Sequence, residues 1–206
     1  MTSPVSAIVV AGGKSRRLGI DKRQIRLANG RTLLAETVAR LRRLSDDVIV
    51  VIGQDEIAPE LAPARVCHDV VPDAGPMAGL AAGLALANYD YAIVVAADLP
   101  FLDSRLLGWL IDQPRPYDLL VPRHQDGRCE PLLAIYRRTC LPAIENRLRA
   151  GRLKLLDLES DVQIHYLDGI DAIASPDAFV NLNTPEDLER LRPHLPIADC
   201  SNEFPR

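Results

Sequence analysis

Apolar runs and their punctuation divide this chain into alternating strands and helices. Ser6 to Ala11 is short and rich in Ile and Val, which predicts a strand buried on both faces. It ends at Gly12 and Gly13 and gives way to a polar, basic stretch that reaches Lys22. Ile25 to Leu27 followed by Asn29-Gly30 reads as a short extended piece and a turn, and Leu34, Val38 and Leu41 then fall on one helical face. Val48 to Ile52 is a second strand closed by Gly53, and Arg65 to His68 a third, followed by Asp69. Gly75-Pro76 opens an Ala- and Leu-rich helix that runs to about Ala87, with proline in the first turn where its missing donor costs nothing. Tyr91 to Ala97 is the strongest strand and ends in Asp98-Leu99-Pro100. Further on, the pattern predicts a helix over Ser104 to Ile111 and a strand over Leu119 to Val121. Helices over Leu141 to Arg149 and Leu153 to Leu158, joined at Gly151, precede a last strand over Val162 to Tyr166.

Strand, glycine loop, helix, strand is a βαβ unit with a right-handed crossover. It predicts an α/β, Rossmann-like architecture with a mostly parallel central sheet. Ligands on such sheets gather at the carboxyl ends of the strands. A chain of 206 residues without repeats or a long linker suits one domain over residues 1–195, with a polar tail over 196–206.

Composition narrows the chemistry. With 24 Lys and Arg against 28 Asp and Glu, the net charge is −4, so general nucleic-acid binding is not expected and the basic residues near the N-terminus are local in purpose. Cys67, Cys129, Cys140 and Cys200 show neither CxxC nor zinc spacing, which reads as reduced thiols of a cytoplasmic protein. No signal-peptide pattern precedes the glycine loop and no stretch approaches a membrane span, so no membrane association is expected.

The glycine loop carries the first chemical signal. Without Cβ atoms, Gly12 and Gly13 let backbone N–H groups approach an anion closely, while Lys14, Arg16, Arg17 and Lys22 bring positive charge. A Walker A loop and the GxGxxG fingerprint both fail to fit, so this is a phosphate loop of another kind, or a tight turn with solvated cations. Asp98, at the carboxyl end of a central strand, is placed to hold Mg²⁺ or to cap a turn. Gly79, Ala82 and Gly83 let their helix pass close to a ligand or to another backbone. Thr184, Pro185 and Asp187 predict a helix start with reciprocal capping. That capping leaves Asn181 and Asn183 unexplained, and their alternation on an extended segment would point both amides the same way. His124, Asp126 and Arg128 read as loop residues; Arg147, Arg149, Arg152 and Lys154 read as a solvated helix face or as a lure for an anionic acceptor.

Gly12-Gly13-x-Ser15-x-Arg17-Leu18-Gly19-x-Asp21-Lys22 resembles the signature loop of the MobA-type molybdenum cofactor guanylyltransferases, GGxSxRMGxDK, with Leu18 in place of the common Met. Three further segments arrive in the family's order. Gly75 to Gly79, GPMAG, resembles the GPLAG segment beside the bound nucleotide; Asp98-Leu99-Pro100 resembles the metal-binding D-x-P; Phe179 to Leu188, FVNLNTPEDL, resembles FxNxNTPEDL at the acceptor side. The resemblance implies a three-layer α/β/α nucleotidyltransferase fold that transfers GMP from GTP to the phosphate of molybdenum-loaded molybdopterin and releases pyrophosphate. It implies Arg17, Lys22 and Asp98 as catalytic residues, with Asp98 as the Mg²⁺ ligand. Ala11, Gly12, Gly13, Lys22, Asp69, Gly75, Gly79 and Asp98 would bind the nucleotide, and Asn181 with Asn183 the acceptor. Arg123 to Tyr136 is similar to the part of the family fold that crosses the mouth of the site, with Glu130-Pro131-Leu132 facing the acceptor. Transient contact with molybdoenzymes or cofactor-delivery proteins belongs to the same picture.

One departure stands out: many relatives have Asn after the second strand, where this chain has Gly53-Gln54. Two other readings stay open at this stage. A related nucleotidyltransferase acting on another phosphate acceptor, above all a cytidylyltransferase, would share the loop, although such relatives tend to carry Ala-Ala-Gly where this chain has Ala11-Gly12-Gly13. A non-catalytic nucleotide-binding domain would share only the fold.

Overall fold

Alternation inside the apolar runs decides how the sheet is covered. Successive side chains of a strand point to opposite faces, so a strand buried on both sides needs apolar residues throughout. The first strand, β1 (Ser6–Val10), is buried at every position. Ala7 and Val9 join the core on one face, while Ile8 and Val10 join a separate core on the other. In the computed structural model the described residues are 3–12, 25–27, 30–69, 71–72 and 74–191.

After β1 come α1 (Leu33–Leu41), β2 (Val48–Ile52), β3 (Arg65–His68), α2 (Pro76–Leu86), β4 (Tyr91–Ala96) and α3 (Ser104–Ile111). Then follow β5 (Leu119–Pro122), β6 (Leu133–Arg137), α4 (Leu141–Arg149), β7 (Ile164–Leu167), α5 (Ile170–Ile173) and α6 (Pro185–Leu191). The strands form one sheet in the order β3-β2-β1-β4-β6-β5-β7. Every pairing is parallel except those of β6, which runs antiparallel between β4 and β5. Leu34, Val38 and Leu41 of α1 and Leu106, Leu107 and Leu110 of α3 cover one face. Met77, Leu80 and Leu84 of α2, with Ile144 of α4, cover the other. The fold is thus the expected three-layer α/β/α arrangement around a mostly parallel sheet.

Two of the predicted elements differ from the sequence expectation, and β6 and α5 were not predicted. The last strand starts at Ile164 rather than Val162, because the Gln163 carbonyl accepts from the N–H groups of both Asp118 and Leu119 and sets the register with β5 there. Leu153 to Leu158 is a 3₁₀ segment at Leu155–Ser160, not an α-helix. Its turns are fastened from outside by Arg147, which donates to the Asp157 carbonyl and to Asp161 and bonds Ser160 at 2.6 Å.

Helix α2 is apolar on nearly all sides and lies unusually close to the sheet. An added Cβ at Gly83 would stand 2.5 Å from Ile8 Cγ2, and one at Gly79 would stand 3.0 Å from Val10 Cγ1. Ile8 is fully buried and branched at Cβ, so its methyl cannot swing aside. Overpacking of this kind costs roughly 1–3 kcal/mol, against about 1 kcal/mol returned by the better helix propensity of alanine. Gly83→Ala is therefore expected to lower stability by up to about 2 kcal/mol. Urea unfolding should show a lower midpoint with an unchanged slope; an unchanged midpoint would mean that α2 shifts freely.

Candidate functional site

Because β1 to β4 run parallel, the residues that follow them converge on one edge of the sheet. Ala11 N donates to Val51 O at 2.8 Å, which carries the chain one residue past β1 to Gly12. A Cβ on Gly12 would lie 3.0 Å from Gly53 N, 3.2 Å from the Ile52 carbonyl carbon and 3.4 Å from Asp69 Oδ2. Two of these three neighbours are backbone, so a side chain here would need the end of β2 to give by a few tenths of an ångström. Asp69 is held there by its own N–H, which donates to Ile52 O at 2.9 Å.

Asp98 arrives from the other side of β1. Ala97 N donates to Val10 O at 3.1 Å, placing Asp98 next to Ala11. Buried Leu99 and Leu102 anchor the turn after it, and Arg40 of α1 donates to Leu102 O at 2.7 Å. The carboxylate thus stands at the edge on a backbone fixed from three directions. The segment Asn181 to Asn183 reaches the same point, since Leu182 N donates to Asp98 O at 2.9 Å. Leu182 is fully buried with Ile25, Leu33 and Leu191, while Asn181 and Asn183 are exposed, so the expected alternation holds. Below them the capping is reciprocal: Asp187 N donates to Thr184 Oγ1 at 3.1 Å, and Asp187 Oδ2 accepts from Thr184 N at 3.0 Å and Asn183 N at 3.1 Å. The Asn183 and Thr184 N–H groups hold the Asp187 carboxyl below the usual carboxylate range.

Gly75, just before α2, has φ +63, a left-handed conformation that a side chain would strain. Its added Cβ would meet nothing within 4 Å, so conformation and not crowding requires glycine here. The following helix starts at this edge with Pro76, and Ala78 N donates back to Gly75 O at 3.3 Å. Gly79, by contrast, is buried against Val10, and sheet packing accounts for it. The structure therefore brings together Ala11, Gly12, Asp69, Gly75, Asp98, Asn181 and Asn183. Gly13, Arg17 and Lys22 lie outside the described residues.

The departure at Gly53-Gln54 has a local structure. Gly53 N donates to Glu56 Oε2 at 2.8 Å, closing a turn in which the carboxylate belongs to a residue the sequence reading did not single out. A second unforeseen cluster lies across the edge, where buried His124 meets Glu130 and Asp171. Among the described residues no group of three or more His, Cys, Asp or Glu forms a metal cage, and Cys67, Cys129 and Cys140 are free thiols. No helix of the described residues is long and apolar enough to cross a membrane.

A glycine-ended first strand, carboxylates after the third and fourth strands and a helix N-terminus on one sheet edge define an α/β nucleotide-handling site of the nucleotidyltransferase type. The chain belongs to the family of the MobA-like NTP transferase domain, whose family model matches residues 7–162. A relative from Pelotomaculum thermopropionicum, "Probable molybdenum cofactor guanylyltransferase", is 35% identical over 191 residues, covering 91% of each chain. A molybdenum cofactor guanylyltransferase from Desulfosudis oleivorans is 31% identical over 192 residues, covering 90% of this chain and 93% of that protein. The crystal structure of molybdopterin-guanine dinucleotide biosynthesis protein A from Archaeoglobus fulgidus superposes with a TM-score of 0.74 at 25% identity, covering 90% of this chain and 96% of that one.

Proposed function

We propose that this protein transfers GMP from GTP to the phosphate of molybdenum-loaded molybdopterin, in the cytoplasm, forming molybdopterin guanine dinucleotide and pyrophosphate. The observation that carries the reading is the bond from Leu182 N to Asp98 O. It fixes the segment bearing Asn181 and Asn183, assigned to the acceptor, directly to the residue assigned to the reacting phosphates.

An oxygen of the acceptor phosphate attacks the α-phosphorus of GTP, and the bond from that phosphorus to the bridging oxygen of pyrophosphate breaks. No covalent enzyme intermediate is needed, so the protein's part is to position the two phosphates and offset their charge. The backbone at Gly12 lies toward the triphosphate, and Arg17 and Lys22 supply the cations. Asp98 would hold Mg²⁺. The residues fit that ion: a hard oxygen donor at the strand end, without a complete protein cage, suits a metal that takes one or two carboxylates and completes its shell with phosphate oxygens and water. When bound, the ion offsets the charge of the triphosphate. Asn181 and Asn183 orient the acceptor, and Ala11-Gly12-Gly13, where cytidylyl relatives tend to carry Ala-Ala-Gly, favours the guanylyl reading.

The test is transfer of label from α-labelled GTP, CTP, ATP and UTP to molybdenum-loaded molybdopterin, with and without Mg²⁺. Magnesium-dependent transfer from GTP alone is the expected result. Preference for CTP would keep the mechanism and change the product, and no transfer from any nucleotide beside an active control would overturn the assignment.

A further inference from the structure

His124 lies two residues beyond β5 with its side chain only 4% exposed. Its Nδ1 is 2.5 Å from Asp171 Oδ1 and its Nε2 is 3.2 Å from Glu130 Oε1. The ring also packs edge-on against Phe179, with centroids 4.6 Å apart and planes at 85°. The second Asp171 oxygen accepts from Gln125 N at 2.8 Å, and Arg128 Nη1 lies 3.7 Å from Glu130 Oε1. The Gln125 N–H and then His124 hold the Asp171 carboxyl below the usual carboxylate range, so it stands as an anion at neutral pH. Each ring nitrogen thus has a carboxylate oxygen within hydrogen-bonding distance. A buried network satisfied in this way admits one arrangement of the groups that form it.

Those groups lead directly to the reaction edge. Glu130 stands two residues before Leu132, whose carbonyl accepts from Ala96 N at 2.9 Å, at the end of β4. Phe179 stands three residues before Leu182, whose N–H binds Asp98 O. The one ring therefore ties together the β5–β6 crossing, α5 and the approach to Asn181 and Asn183.

We propose that His124 is a positioning residue for the acceptor: bridging Asp171 and Glu130 and packed on Phe179, it fixes the acceptor-side wall relative to Asp98. The inference rests on the assignment of Asn181 and Asn183 to the acceptor. It assigns His124 no contact with either substrate. Its loss should loosen one half of the site and leave the nucleotide half intact.

The experiment measures KM for molybdenum-loaded molybdopterin at saturating GTP, and KM for GTP at saturating acceptor, in the wild type, His124→Gln and Asp171→Asn. Asp171 is one-third exposed on α5, so Asp171→Asn keeps the fold testable should His124→Gln unfold. Loss of a buried bond to a charged group predicts an acceptor KM raised roughly tenfold or more in both variants, with KM for GTP within about twofold of wild type. An unchanged acceptor KM, or an equal rise in both KM values, would overturn the proposal. A wild-type enzyme that transfers no GMP would instead bring down the guanylyltransferase reading, and the positioning role with it.

Discussion

Asp98→Ala is expected to lower GMP transfer by at least roughly 10²–10³-fold, the loss that follows removal of one group stabilising charge at a reacting centre. The substitution should leave the fold intact. Asp98 sits half-buried at the end of β4, and its place is set by bonds of the backbone: Ala97 N to Val10 O, and Leu182 N to its own carbonyl. Buried Leu99 and Leu102 and the clamp from Arg40 also hold the turn. The unfolding midpoint should therefore match wild type, and the loss should appear in kcat. Asp98→Asn, which keeps shape and removes charge, should be nearly as inactive, because a hard divalent cation needs the anionic oxygen. Raising Mg²⁺ should not restore either variant. An Asp98→Ala enzyme that remained active and metal-dependent would move the metal to another carboxylate, with Asp69 the first to examine, since its Oδ2 lies beside Gly12 at the same edge.

The parts of this site that could be read from the sequence are those whose cause is local. Ile8 to Val10 and Val48 to Ile52 are apolar at every position because both sheet faces are covered, and that pattern predicts parallel strands without further information. Thr184 and Asp187 cap one another across three residues, so the helix they begin was legible as well. The antiparallel sense of β6 was not. Leu133 to Tyr136 is an apolar run like the others, and nothing within it tells that the chain turns at Asp126-Gly127, with Gly127 at φ +86, and comes back between β4 and β5. That reversal carries Glu130 to His124, while Asp171, 47 residues further along, comes to the other side of the ring. A histidine whose partners are so distant has no local signature, which is why it read as a loop residue. Gly53-Gln54 failed differently: the missing Asn was visible, but the turn closed by Glu56 was not.

At the opposite edge of the sheet, Asp47→Ala is expected to destabilise the protein by about 2 kcal/mol, within the range for leaving a buried polar group without its partner. Asp47 is nearly fully buried just before β2, and its Oδ2 accepts from Ser6 Oγ at 2.6 Å and from Asn88 N at 2.9 Å. Arg65 of β3 bonds its other oxygen, so one carboxylate joins β1, β3 and the α2–β4 connection. Alanine would leave the buried Ser6 hydroxyl without its acceptor, while the Asn88 N–H and Arg65, two-fifths exposed, could turn to water. For a chain of this size the loss corresponds to a fall in Tm of roughly 4–8 °C. Burial pushes the Asp47 carboxyl up, but the Ser6 hydroxyl, the Asn88 N–H and Arg65 outweigh it and hold the group below its ordinary value. A carboxyl lowered by folding contributes its full stabilisation above the unfolded pKa, about 4, and loses it as pH falls through the lower folded value. The difference in unfolding free energy between wild type and Asp47→Ala should therefore be constant from pH 7 down to about 5 and shrink below about 4. A difference that stayed level into acid would mean that the carboxylate's charge contributes nothing there. Because the strands are parallel, Asp47 and Asp98 lie at opposite ends of strands about five residues long, some 17 Å apart along the sheet. Folded Asp47→Ala enzyme should thus transfer GMP at the wild-type rate, so this variant separates what holds the sheet together from what the other edge does.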